Sequence, residues 1–518
     1  MLQAIRSERT NRRRLRGASL GIALLLLGLV SSAAAAVTIP DAALEEVIRA
    51  KLAFPQGEIT GVMLRSLTRL PAENKGILDL TGLEYCVNLT HLYLDGNEIV
   101  DLTPLAGLTK MKILTLGGNN ITDIAPLAKM TELSGLILRD NGIMDLTPLE
   151  RVNGLRTLVI EHNQISDLSP LEGMVHLRNL LAEENQITDI SVLVTMTAME
   201  TLDLSENQVA DLTPLMWMAT LKRIGLDNNN ISSLEGLSWP PYVESLSLND
   251  NQITDLSPIT QMTRLEALYL SRNGITDLSQ IEGMTQLRTL QLTENEIIDI
   301  SPLADMTQME TLSLNVNRIQ DISPLAGMTE ITLLRLNGNE ISDASALAGM
   351  AKMEQLKLGT NQLNDISVVS GMPNLWYLDI DGNAISDISP VAGLTKLRAF
   401  TAGDNQITDL QPLSALTGLG TISLHGNQIV SAEGLPSSGP ASATPTVVGL
   451  GGPLPSCESP HIDLSENQIE DISALVDLAW LDAGWHLSLT GNLLDVSDGS
   501  LAMQTIEALR ARGVIVCF

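Results

Sequence analysis

The chain has 518 residues, 61 acidic and 31 basic, with a formal net charge of −30, 44% apolar residues and 3% aromatic ones. That length can bury a large core, while the charge would be repelled by nucleic acid and by anionic membrane surfaces. Three cysteines are too few to frame a domain with disulfides, and no spacing among them matches a zinc or CxxC redox site.

The first 36 residues read as an export signal. Six arginines (Arg6, Arg9, Arg12, Arg13, Arg14, Arg16) precede an apolar run from Ala18 to Val30, then small residues from Ser31 to Ala36. The run is too short for a comfortable membrane span, so residues 1–36 are expected to be a cleaved signal peptide, cut near Ala36. Its removal takes away six arginines and one glutamate and leaves a mature charge of −35. Residues 37–66 do not repeat. Asp41 as N-cap, with apolar Leu44, Val47 and Ile48 after it, predicts a helix that covers one end of the chain's periodic part.

From 67 to 435 the chain is periodic. The unit from Val243 to Arg264, VESLSLNDNQITDLSPITQMTR, is 22 residues long. Its Asn251 recurs without a slip as Asn97, Asn119, Asn141, Asn163, Asn185, Asn207, Asn229, Asn273, Asn295, Asn317, Asn339, Asn361, Asn383, Asn405 and Asn427. A fixed period of this kind marks a solenoid. Val243, Leu246 and Leu248 alternate with Ser245, Ser247 and Asn249, the pattern of a strand with one buried face. Asn251 carries donor and acceptors on a short side chain, and so can satisfy backbone groups left where the chain turns inward.

The second half of the unit is patterned too. Four residues after each ladder Asn stands an Asp, replaced only by Ser233 and Ser431. Ser or Thr comes two residues later and then often Pro, as in Asp255-Leu256-Ser257-Pro258. A short oxygen-bearing side chain ahead of Pro starts a helical turn. Only about ten residues remain for the return, which predicts 3₁₀ turns. Met130, Met174, Met196, Met218, Met262, Met284, Met306, Met328, Met350 and Met372 form one column, read as core packing, and Cys86 falls in the same column.

The pattern L-x-x-L-x-L-x-x-N-x-I with a D-L/I-S/T-P-L return resembles the leucine-rich repeat in its short, 22-residue subclass, and within that the repeat domains of bacterial internalins and related secreted proteins. The resemblance covers residues 40–518. It implies an α/β fold: a right-handed, curved solenoid with a parallel sheet on the concave face, 3₁₀ and short turns on the convex face, a helical N-terminal cap and a helix–strand C-terminal cap. It further implies recognition of a protein or glycan partner through the concave sheet. No immunoglobulin-like module, wall-binding repeat or LPxTG anchor comes after the repeats, so host invasion and covalent surface attachment are not expected.

After Asn427 the next ladder residue is Asn467, and the extra length falls in 436–460, rich in Pro, Gly and Ser, read as a loop insertion. Cys457 lies there; in an exported chain it can oxidise with Cys517, a pairing left open. Residues 461–518 resume the pattern, with Asn467 and Asn492 on the ladder, a helix over Ser500–Arg512 and a last strand over Val514–Val516.

Side chains six, four, two and one positions before each ladder Asn face the open side. The candidates for binding are Tyr93, Arg139, Glu161, Glu183, Asp203, Arg223, Asp227, Tyr269, Arg335, Tyr377 and Asp379, with Tyr and Arg as the usual interface anchors. No HExxH, GxSxG, phosphate loop or dinucleotide fingerprint occurs. His425, His461, His486 and Asp463 come nearest to a metal constellation, but exposed histidines on a polar sheet are the commoner case. No catalysis, cofactor or metal is expected, and a monomer is. The competing reading is a structural or calcium-binding envelope protein using the Asp-rich turns. Calcium, however, wants about six to eight converging oxygens, and a turn explains each Asp more simply.

Overall fold

In the segment Ser245-Leu246-Ser247 the central leucine is fully buried and both serines stay partly open. That alternation makes a three-residue strand, and its repetition every 22 residues makes a sheet. The computed structural model describes residues 35–237, 241–438 and 461–518. These contain twenty such strands, from Arg69–Pro71 to Ile515–Cys517, in one sheet. Every pairing is parallel and joins sequence neighbours in strict register: Ala267 stands beside Ser245 on one side and Thr289 on the other. Most coils return through a 3₁₀ turn of three to five residues, such as Ser257–Ile259 or Ser323–Gly327. The result is the expected solenoid of parallel strands and short turns.

The core is continuous along the stack. The methionines of the Met130–Met372 column are all buried. Cys86 is fully buried with them, and burial, helped by Glu84, pushes its thiol up to about 12. It is a packing residue.

The ladder asparagines stitch each coil to the one before. Asn273 Oδ1 accepts from Ile253 N at 2.9 Å, while its Nδ2 donates to Leu248 O in the preceding coil (2.9 Å) and to Leu270 O in its own (3.1 Å). The same acceptor bond is made along the whole stack, from Asn97 with Ile77 N to Asn492 with Ile469 N. Each amide thus fills backbone valences that the turn would otherwise leave unpaired.

The residue just before each ladder Asn is left-handed. It is glycine at Gly96, Gly118, Gly338, Gly382, Gly426 and Gly491, but Arg272 (φ 54°), Val316 (φ 53°) and Thr360 (φ 53°) hold the same conformation. L-residues resist this region, β-branched ones most. The turn geometry is fixed by the ladder bonds, whichever residue occupies the position.

The return turns differ in one respect from expectation. The first bond of nearly every 3₁₀ turn is to the Asp, not to the Ser or Thr: Asp255 Oδ1 accepts Ser257 N at 2.9 Å, and the Ser257 hydroxyl donates back to Asp255 Oδ2. An Asp side chain reaches the N–H two residues on, which is the Asx turn. Where Ser233 and Ser431 replace Asp, their hydroxyls accept the same N–H, from Glu235 and Glu433.

Both ends are covered. The helix Ala42–Leu52 buries Leu44 and Ile48. Asp41 accepts Leu44 N with one oxygen at 2.9 Å, and Leu78 N and Asp79 N with the other at 2.8 and 3.2 Å, so one carboxylate caps the helix and ties it to the first coil. At the far end the helix Leu501–Ala511 starts at Ser500, whose hydroxyl accepts Met503 N, and buries Ala502, Thr505, Ile506 and Leu509. Thr421–Ser423 pairs directly with His461–Asp463, so the sheet runs on past 436–460. Trp480 Nε1 donates to Pro436 O at 2.7 Å and fixes the start of that segment. Residues 439–460 lie outside the described residues, and with them Cys457; Cys517 is exposed on the last strand. The expected signal peptide likewise falls outside them, except for 35 and 36. Among the described residues no helix is long and apolar enough to cross a membrane.

Candidate binding face

The two outer residues of every strand, and the two immediately before each ladder Asn, project to the open side. They fall into four stretches along the stack. At the first, the Arg69 guanidinium lies over the Tyr93 ring, 4.9 Å from its centroid. Next, Ile137, Val159 and Leu181 stand in register on consecutive strands and make a small aliphatic row.

The third stretch is acidic. Glu161 and Glu183 are half-buried, and burial raises both carboxyls, with Asp203 adding to it in each case. Nearby, His162 Nδ1 lies 2.9 Å from Glu184 and 3.8 Å from Asp140. Arg139 is exposed, 3.6 Å from Asp140. Arg223 is exposed and donates to the Thr201 hydroxyl at 3.0 Å. Tyr269 is half-open, close in sequence to Arg272, which pairs with Asp250.

In the fourth stretch Arg335, Lys357 and Tyr377 occupy successive strands. Lys357 Nζ lies over the Tyr377 ring, 5.2 Å from its centroid. Tyr377 and Asp379 are only 6% and 8% exposed. Burial, then Asp379 alongside, pushes the Asp381 carboxyl up to about 6.

Several sequence candidates turn out to be engaged within the chain. Asp227 Oδ1 accepts Asn249 N (2.7 Å) in the next coil, as Asp95 accepts Gly117 N, Asn315 accepts Asn337 N and Asn337 accepts Gly359 N. This is a second, partial ladder along the rim of the open face, which periodicity alone did not reveal. Its sequence signal was the recurrence of Asp and Asn two positions before the ladder Asn. Asp203 accepts both the N–H and the hydroxyl of Ser205. Tyr377, read from sequence as a free anchor, is instead packed beside Trp376 with ring centroids 6.1 Å apart.

The histidines do not converge. His425 lies 3.5 Å from Asp404 and 4.0 Å from Asp463, and His461 Nδ1 is buried without a partner. Among the described residues no three His, Cys, Asp or Glu side chains are grouped to hold a metal ion. The turn aspartates spend their oxygens on their own coils.

Three-residue parallel strands, each closed by a bonded asparagine and mostly a 3₁₀ return, define a repeat scaffold with one exposed sheet face. Known proteins built this way agree. The family described as leucine-rich repeats matches residues 87–129, 175–215, 243–283 and 285–327. An internalin from Listeria monocytogenes is 32% identical over 71% of this chain and 98% of its own, with a TM-score of 0.51. A leucine-rich-repeat protein of Leptospira interrogans (21% identical; 70% of this chain, 91% of that one; TM-score 0.58) shares the fold. So does the Arabidopsis receptor kinase HAESA, solved with the peptide hormone IDA and the co-receptor SERK1 (19% identical; 89% of each chain; TM-score 0.59). None of the curated proteins matches. The chain belongs to the leucine-rich-repeat family, in its short-repeat, internalin-like branch.

Proposed function

We propose that this chain is an exported, non-catalytic binding scaffold that holds a protein partner against the open face of its sheet. The observation that carries the reading is the contrast between the two sides. The turns spend their polar groups internally, whereas the open face presents exposed Arg139 and Arg223 and half-open Tyr269, Arg335 and Lys357, the last two in no ion pair among the described residues. Tyrosine and arginine are typical interface anchors. The pattern of residues 1–36 supports export. The Arabidopsis receptor of the same fold is held with a peptide and a co-receptor.

The test is capture from extracellular material by the wild-type chain and by two sets of variants. Tyr269→Ala with Arg223→Ala alters the open face; Trp217→Ala alters a residue 65% exposed on a return turn. Loss of capture with the first set and not the second is expected. The reverse pattern would overturn the reading. Identification of an intact amino terminus at Met1 in the exported material would remove the cleavage proposal.

A further inference from the structure

Two cations stand side by side on the open face without a carboxylate in ion-pair contact. Arg335 and Lys357 are in register on adjacent strands and both half-buried, yet neither is in an ion pair among the described residues. Of the other open-face cations, Arg139 and Arg272 meet carboxylates and Arg223 a hydroxyl, while Arg69, like Lys357, lies over a tyrosine ring. The carboxylate best placed to answer Lys357 is Asp379, beside it in register. It is turned away. Asn337 Nδ2 donates to Asp379 Oδ2 at 2.7 Å, across a whole coil, and Asp381 N donates to Asp379 Oδ1 at 3.2 Å. Gly359 leaves the room for this, since a Cβ there would stand 2.8 Å from Asp379 Oδ1. Burial lowers the affinity of both Arg335 and Lys357 for their protons, as expected of charges waiting for a counter-ion.

We infer that Arg335 and Lys357, flanked by the Tyr377 ring, form a subsite for a single carboxylate borne by a peptide segment of the partner. This rests on the open face being the binding face. A guanidinium suits a carboxylate through paired N–H donors. A polyanion fits poorly: only two cations are present, Asp379 and Asp381 adjoin them, and the whole chain carries −30. An isolated acidic residue within an otherwise neutral or basic peptide meets no such repulsion.

The experiment pans a randomised peptide library against the full chain and then exchanges each acidic residue of the enriched peptides for its amide. With wild type, one Glu→Gln or Asp→Asn exchange should weaken binding by about tenfold or more. In Arg335→Gln/Lys357→Gln the acid and amide forms should bind alike, while the melting temperature is unchanged or raised because two like charges are gone. A lowered melt would show that the pair is structural. Acid preference persisting in the double variant, or no acidic peptide enriched by wild type, overturns the subsite. Preference for a sulfated heparin oligosaccharide, lost in the same variant, would replace the peptide by a glycan. Peptide binding that survives both this variant and Tyr269→Ala overturns the open-face reading itself; loss with Tyr269→Ala alone overturns only the subsite.

Discussion

Asn295 is bound to Ile275 as a side chain is bound to a neighbouring coil: its Oδ1 accepts the Ile275 N–H at 3.1 Å, twenty residues back, while its Nδ2 donates to Leu270 O and Leu292 O at 3.0 and 3.1 Å. Replacing it by Ala leaves the Ile275 N–H unpaired in a site only 8% exposed, and takes one of two amide donors from Leu270 O and Leu292 O, which Asn273 and Asn317 still reach. Asn295→Ala should therefore cost about 1–3 kcal/mol. Because each coil packs chiefly on its neighbours, hydrogen exchange should speed up at Leu270 to Ile297 and not at the ends. Uniform loss of protection would contradict this local picture.

Val316 holds φ 53° with a β-branched side chain that is 54% exposed. Glycine relieves that conformation and forfeits little burial, so Val316→Gly should stabilise by about 1 kcal/mol despite glycine's freer unfolded chain. The converse change, Gly338→Val in the next coil at φ 67°, should destabilise by a similar amount. Melting of the two variants in parallel checks both signs.

Asp41 links the capping helix to the first coil. Burial raises its carboxyl, but the N–H groups of Leu44, Leu78, Asp79 and Ala43 together outweigh that and hold it below the ordinary value. A depressed value means that its contribution is complete above about pH 4 and is lost as pH falls through the folded value. Asp41→Ala should cost about 1–2 kcal/mol at pH 7, and the gap from wild type should close in acid. A gap that is constant from pH 7 to pH 2 would show that the carboxylate is not what matters.

Asp381 works in the opposite direction. Its folded value of about 6 lies above the unfolded 3.8, so between the two the folded chain holds a proton that the unfolded chain does not. Stability from this group therefore rises as pH falls through 6. Asp381→Asn keeps an oxygen for Gly403 N and removes the buried charge. It should raise stability at pH 7.5 by about 2 kcal/mol and have little effect near pH 4. Equal melting temperatures at pH 7.5 would refute the raised value.

What the sequence revealed depended on repetition. Asn251 and Leu246 could be placed because sixteen copies of the same demand stand in line. The left-handed position escaped notice because Arg272 and Val316 hide a pattern that Gly96, Gly118 and Gly338 display. The open face was harder to read for a related reason. Several of its side chains are held by neighbours 22 or more residues away as well as by their own coil, as when Asn337 reaches past Gly359 to Asp379. Tyr377 likewise looked free in the sequence and is packed away in the fold, so its truncation to Ala should lower the melt as well as alter binding.

The direct pairing of Thr421–Ser423 onto His461–Asp463 has a practical side. The strands meet as if nothing had been spliced between them, and Pro436 is already pinned by Trp480. An epitope tag or fluorescent domain inserted between 439 and 460 is therefore expected to leave the strand register on either side intact, so the molecule could be tracked without breaking its sheet.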